Sequence, residues 1–371
     1  MVSVHAVPLA RRNLFQDRRR AVLAVAGIAA ALLLVLVLDG IFAGTMQQVT
    51  AYLRNIPSDV VVSQRGVRTM HMSSSALPET VVKDVKQVPG VVSADGIRFT
   101  TSTLRSPTGG QLSYVIGYDT STGTGGPWRM ASGRAPRAGE VVVDEVGAEQ
   151  LGARIGGTVE VLGRFFRVSG LSSGGTSITN TTTFMPTGDF AAIRGPAISY
   201  VLVRGASNTS GSALARRIEA AVPGSTVQTK SEIVGQESRI VRDMSADILQ
   251  IMSIIGFLIA LAVVALTLFT ATLSKLHEYT VVKALGANAG RLVRTVLAQA
   301  LWSIGLGFVA ALVLLFAVAA LVAALTPNVR LAVETATVVR VAVAAAVAGG
   351  IGTLVPLRRL LRLDPATAFG S

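Results

Sequence analysis

Apolar residues crowd into four stretches of the chain, 21–38, 248–273, 296–325 and 341–357, with segments of ordinary polarity between them. An α-helix rises 1.5 Å per residue, so about 20 apolar residues cross a hydrocarbon core roughly 30 Å thick. The stretches therefore predict four membrane helices, at 21–43, 247–273, 295–325 and 338–357. The first is read as an uncleaved membrane helix and not as a signal peptide. Its apolar core exceeds the 7–15 residues usual for a leader, and Asp39-Gly40-Ile41-Phe42 continues the helix where a cleavage site would fall.

Residues 44–246 have the pattern of a folded α+β domain inserted between the first and second membrane helices. "SDVVVSQRG" is a β-branched strand closed by Gly66. Pro78 opens a helix that places Val81, Val82, Val85 and Val88 at helical spacing, before a Pro89-Gly90 break and a second strand. The order returns in "AISYVLVRG" followed by "SGSALARRIEAAVPGSTVQTKS": strand, helix, Val-Pro-Gly, strand. Two such units predict an α/β module whose halves bracket a β-rich insert. That insert, "GEVVVDEVGAEQLGARIGGTVEVLGRFFRVSGL", reads as strand, short helix, glycine turn and hairpin. The Ser/Gly/Thr/Asn tract at 172–183 predicts a flexible loop, and from about residue 236 a continuous helix runs into the second membrane stretch as a stalk.

Charge fixes the topology. The net charge is +13, and the cations gather at the ends of the apolar stretches: Arg11, Arg12, Arg18, Arg19 and Arg20; Lys275, Lys283, Arg291 and Arg294; Arg358, Arg359 and Arg362. By the positive-inside rule all three clusters face the cytoplasm. Both termini and segment 274–294 then lie inside, while 44–246 and the 326–337 loop lie outside. Residues 1–20 suit either a short amphipathic helix on the inner leaflet, with contact to membrane lipids, or a disordered basic anchor. No basic stripe interleaved with aromatics points to nucleic acid. The sequence has no cysteine, which excludes disulfides and thiol chemistry.

The segment "KLHEYTVVKALGANAGRLVR" interrupts the apolar sequence with charge. Leu276, Tyr279, Val282 and Leu285 recur at helical spacing, with Lys275, Glu278 and Lys283 on other faces. Gly286 supplies a C-cap, and Asn288 caps the helix that follows. A plain connection needs only two to six residues. An ordered amphipathic helix here means that something docks on it.

These residues resemble a known family. "EYTVVKALGANAGRLVRTVLAQA" resembles the coupling segment of FtsX-type and MacB-type permeases, the "GEVVVDEVG" segment resembles their extracytoplasmic core, and "LRRLLRLDPATAFGS" resembles their C-terminal motif. The resemblance implies a half-transporter with four transmembrane helices and a MacB-like outer domain, located in the cell inner or plasma membrane. It implies pairing with a second permease subunit, more often as a homodimer than a heterodimer. It implies a separate cytoplasmic ABC ATPase that binds the ATP. Leu276, Glu278, Tyr279, Val282, Lys283, Leu285 and Gly286 would then form the coupling helix that docks on this ATPase. The family implies export of hydrophobic or amphiphilic substrates by mechanotransmission. Cell-division relatives imply the alternative, a signalling subunit that activates a cell-wall hydrolase without transporting anything.

Chemistry within the chain is sparse. There is no G-x-x-x-x-G-K-[ST] phosphate loop, so the chain is read as a non-catalytic subunit without a cofactor of its own. Gly170-Leu171-Ser172-Ser173-Gly174 fits the nucleophile-elbow spelling, but it lacks the helix and histidine that chemistry needs. Met70-His71-Met72 places an imidazole between two thioethers, a set able to contact a soft metal or haem; the competing reading is a methionine-containing surface segment, and no resident metal is assigned. Ala345/Gly349, Ala348/Gly352 and Gly256/Ala260 have the small-xxx-small spacing that permits close helix contact, between subunits among other places. Asp39 would cost about 2.5–3.5 kcal/mol at the bilayer centre, which places it at the interface or facing a partner subunit.

Overall fold

The structure, a computed structural model, describes residues 18–178, 180–275 and 288–362. In chain order its elements are α1 (Arg18–Val49), α2 (Ala51–Asn55), β1 (Val60–Gln64), α3 (Thr80–Lys86), β2 (Val91–Ser106), β3 (Gly109–Tyr118), β4 (Met130–Gly133), β5 (Glu140–Asp144) and α4 (Glu145–Gln150). Then come β6 (Thr158–Val161), β7 (Arg164–Ser172), β8 (Thr181–Pro186), α5 (Thr187–Arg194), β9 (Tyr200–Gly205), α6 (Gly211–Ala221), β10 (Ser225–Thr229), α7 (Lys230–Ser274), α8 (Ala289–Leu325) and α9 (Thr335–Arg362). Two compact units result: residues 45–245 with 327–329, and the remainder.

In the first unit the strands run β10-β1-β9-β2-β3-β8-β5-β7-β4, and β6 pairs with β2 and β7. The quartet β10-β1-β9-β2 is antiparallel, and its two strand–helix–strand units interleave as a split βαβ arrangement. The two Val-Pro-Gly breaks end α3 and α6 the same way, with Gly90 and Gly224 at φ +97° and +90°, a region that glycine enters without steric cost. One face of this quartet buries Val81, Val85 and Val88 together with Leu214 and Ile218 of α6. The other face buries Tyr52, Leu53, Ile56, Met70, Tyr200 and Ile233. The insert forms its own core from Val141, Val143, Val159, Phe166, Val168 and Phe190.

The 172–183 tract is less free than its composition predicts. β7 runs to Ser172 and β8 begins at Thr181; between them Thr176, Ser177 and Asn180 are buried. Fully buried Asp144 holds the turn, accepting from Gly175 N–H at 2.7 Å and Thr176 Oγ1–H at 2.6 Å. The same carboxylate caps α4 through Val146 N–H at 3.3 Å. Gly170 to Ser172 are strand, followed by this pinned turn and not by a helix, so the elbow geometry is absent.

Among the described residues four helical spans are long and apolar enough to cross a membrane: Ala21–Val49, Ile254–Ser274, Val293–Leu325 and Thr335–Leu354. Asn288 caps α8 as its sequence position predicts, accepting from Gly290 N–H at 3.0 Å. The small-xxx-small positions serve contacts inside the chain. A Cβ on Gly352 would sit 2.6 Å from the Ala265 carbonyl oxygen of α7, one on Gly349 would strike Ile304 and Leu268, and Gly256 faces Leu38. Gly44 of α1 lies so close to the Arg330 carbonyl that no side chain fits, and Gly40 O accepts from Ala332 N–H at 2.9 Å. Asp39 pairs with Arg340 of α9 at 2.5 Å, so its partner lies within the same chain.

Candidate functional site

The geometry with chemical content in the outer domain gathers at the start of α7. That helix begins at Lys230, six residues before the polar run suggests, because Thr229 and Glu232 form a capping box. Thr229 N–H donates to Glu232 Oε2 at 2.8 Å, and Glu232 N–H donates to Thr229 Oγ1 at 3.3 Å. Lys230 Nζ donates to the Ile56 carbonyl at 2.8 Å, and its burial lowers the ammonium pKa. One turn on, Ile233 enters the core, and Glu237, four residues later on the same face, is also fully buried.

A buried carboxylate needs partners. Glu237 Oε2 accepts from Met70 N–H at 2.8 Å, and Oε1 lies 2.7 Å from His71 Nδ1. The imidazole side chain is 5% exposed. It lies 4.3 Å from the Tyr114 ring centroid at a tilt and 5.7 Å from Phe99, edge-on. Tyr200 Oη–H faces the carbonyls of Thr69, Met70 and Ser73 at 3.1, 3.4 and 3.3 Å, drawing that loop inward. Burial, then the Glu237 charge, pushes the Tyr114 phenol up to about 12; the same two causes raise Tyr200. Both phenols therefore stay neutral donors.

This cluster floors a cleft of about 500 Å³, open beside the 70–75 loop, β2 and α5. Serine and threonine hydroxyls line it, with Arg194 at its rim. Among the described residues the arrangement holds no nucleophile–base pair. Of the Met70-His71-Met72 set, Met70 is 1% exposed in the core, His71 is held by Glu237, and Met72 is 53% exposed. The partner of His71 in this site, Glu237, has one sequence signal: it follows Ile233 at i+4, on the same helix face.

The "GEVVVD" segment has a structural role. Arg134 grips Glu140 in a two-pronged contact, both N–H···O distances being 2.6 Å, and Arg137 N–H adds a third bond at 3.0 Å. The Arg134 hydrogen bonds and then the Arg137 amide hold the Glu140 carboxyl down to about 2. Leu276, Glu278, Tyr279, Val282, Lys283, Leu285 and Gly286 lie outside the described residues.

Comparison with known proteins covers both units. The MacB-like periplasmic core domain family matches residues 21–221, and the FtsX-like permease C-terminal family matches residues 250–365. The chain is 24% identical over 372 residues to the uncharacterized ABC transporter permease Rv2563 of Mycobacterium tuberculosis, covering 97% of this chain and 98% of that protein. It is 25% identical over 364 residues to permease Rv0072 of the same organism, again covering 97% and 98%. Among solved structures, the periplasmic region of MacB from Actinobacillus actinomycetemcomitans aligns with a TM-score of 0.38 and 16% identity over 51% of this chain and 97% of that one. The extracellular domain of YknZ from Gram-positive bacteria aligns at 0.36 and 14%, over 46% of this chain and 99% of that one.

Proposed function

This chain belongs to the ABC transporter permease family that joins a MacB-like periplasmic core domain to an FtsX-like permease region, and on that premise we propose that it is the non-catalytic membrane subunit of an export machine. It is a multi-pass membrane protein whose partner, a cytoplasmic ATPase, supplies the energy. The orientation we assign places both termini and segment 274–294 in the cytoplasm, following the clustered cations.

The observation that carries the mechanistic reading is the course of α7. Its first turns are anchored in the outer-domain core by the capping box, Ile233 and Glu237, and its later residues form a membrane span from Ile254 to Ser274. Beyond that span lies the coupling segment. A push on Leu276, Glu278, Tyr279, Val282, Lys283, Leu285 and Gly286 by the ATPase would be delivered along α7 to the buried Glu237. Such a subunit moves cargo by displacing its outer domain, without passing it through a channel between its helices. The cargo we assign is hydrophobic or amphiphilic. A second copy of the chain is the partner subunit we favour; Trp302, Val309, Val313 and Phe316 leave α8 with apolar surface for lipid or that copy.

The test is co-purification of the detergent-solubilised chain with cytoplasmic ABC ATPases co-expressed from its own source, comparing wild type with Glu278→Arg plus Leu285→Asp. Retention by wild type and loss by a folded double variant is the expected result. Failure of wild type to retain any ATPase sinks the reading.

A further inference from the structure

We propose that the cleft floored by His71 and rimmed by Arg194 is a binding site for a small anionic polyol, a phosphate ester carrying free hydroxyls. The inference stands apart from ATPase coupling and concerns the outer domain alone.

Three observations converge. First, His71 is almost wholly buried, yet only one of its ring nitrogens is used. Nδ1 faces the Glu237 carboxylate at 2.7 Å, while Nε2, on the far side of a ring that lines the cleft, has no partner among the described residues. That nitrogen is not sealed from solvent, and a solvent-reached nitrogen on an otherwise buried ring lining a cleft is a poised ligand contact. The carboxylate behind it and the Met70 amide fix the ring plane, so this contact is pre-oriented. Second, Arg194 ends α5 at the rim, donating to Thr100 Oγ1 at 3.3 Å, and no carboxylate lies within salt-bridge distance among the described residues. A guanidinium presents a planar fork of donors that matches phosphate oxygens. Third, the wall between these groups is hydroxyl-bearing, from Ser73, Ser74 and Thr101, and no acidic side chain lines the cleft. Hydroxyls that both donate and accept suit a polyol, and the lone cation selects for the anionic end.

A volume of about 500 Å³ holds a ligand of small-molecule size. Free phosphorylated polyols and the headgroup of a phosphoglycerolipid present the same chemistry. The probes that separate them are glycerol 1-phosphate and short-chain phosphatidylglycerol, with glycerol as the uncharged control.

The experiment uses the full chain in a non-ionic detergent, without ATPase. Binding is followed by equilibrium dialysis and by imidazole ¹⁵N NMR, which is simple because the chain has 3 histidines. We expect saturable binding of glycerol 1-phosphate at one per chain, none of glycerol, and a ligand-dependent shift of one imidazole signal that His71→Gln removes. Arg194→Ala should raise Kd at least tenfold, and Arg194→Lys should recover part of the loss. Since Arg194 is exposed, neither substitution threatens the fold. Tenfold tighter binding of phosphatidylglycerol would assign the site to a lipid headgroup, and equal binding would assign it to a free ester. The proposal is overturned if neither probe saturates, if Arg194→Ala leaves Kd unchanged, or if no imidazole signal responds.

Discussion

Glu237 and His71 are 166 residues apart in the chain and 2.7 Å apart in the fold. The carboxylate comes from the helix that later becomes a membrane span, and the imidazole from a loop of the outer domain. Their contact ties the first turns of α7 to the core of the domain.

Removing one partner of this buried pair strands the other. Glu237→Ala should destabilise the MacB-like domain by about 1–3 kcal/mol, the cost of leaving a buried polar partner unsatisfied. The Met70 amide loses its acceptor as well. Protease susceptibility of the full chain in detergent, measured across denaturant, reads the loss. A double-mutant cycle with His71→Gln should show coupling of at least about 1 kcal/mol, and strict additivity would mean the two groups do not interact.

Glu140 makes a prediction about acid. Its folded pKa, about 2, lies below the unfolded value of about 4.3, so its stabilising contribution is complete above the unfolded value and fades as pH falls toward 2. Arg134→Ala should therefore narrow the stability gap from wild type steadily between about pH 5 and pH 2. The pair is partly exposed, so added salt should shrink the gap too. Thermal unfolding at stepped pH checks both; a gap that widens in acid would contradict the assignment.

Asp144 holds the turn between β7 and β8 through Gly175 and Thr176. Asp144→Ala should cost about 3 kcal/mol, from lost charge-assisted bonds and donors left unpaired. The segment 173–178 should become the first site of limited proteolysis. Cleavage elsewhere first would show that other contacts hold the turn.

In the C-terminal half of α1, Asp39 pairs with Arg340 across 301 residues of sequence. Asp39→Arg alone or Arg340→Asp alone should lower the melting temperature of the detergent-solubilised chain. The double swap should recover most of the loss. If the swap is as unstable as either single variant, the contact is not a pair.

Local pattern carried much of the fold. Four apolar stretches of membrane length, Val81, Val85 and Val88 at helical spacing, two Val-Pro-Gly breaks and the Asn288 cap all act within a few residues of themselves. Hydrophobic period, glycine conformation and capping are properties of short segments, so they are legible without a structure. The capping box at Thr229 and Glu232 is local too, and it moved the start of α7 to Lys230, ahead of the polar run that first suggested a helix.

The tertiary structure decided which distant groups meet. Nothing near Glu237 in sequence marks it as the partner of His71, and nothing near Asp39 points to Arg340. The tract 172–183 has the composition of a free loop, yet Asp144, from another strand, pins it. Gly349 and Gly352 have spacing that would serve a second subunit equally well, yet side chains and backbone of the same chain fill their grooves. The sequence by itself thus determined the four apolar spans, the two strand–helix–Val-Pro-Gly units and the family, while strands such as Gly109–Tyr118 and Thr181–Pro186 were not legible in it. Burial of a charge, the choice of its partner and the placing of the His71 ring in the cleft arise only when segments separated by many residues pack together, because desolvation and hydrogen-bond geometry are properties of the packed neighbourhood and not of the chain.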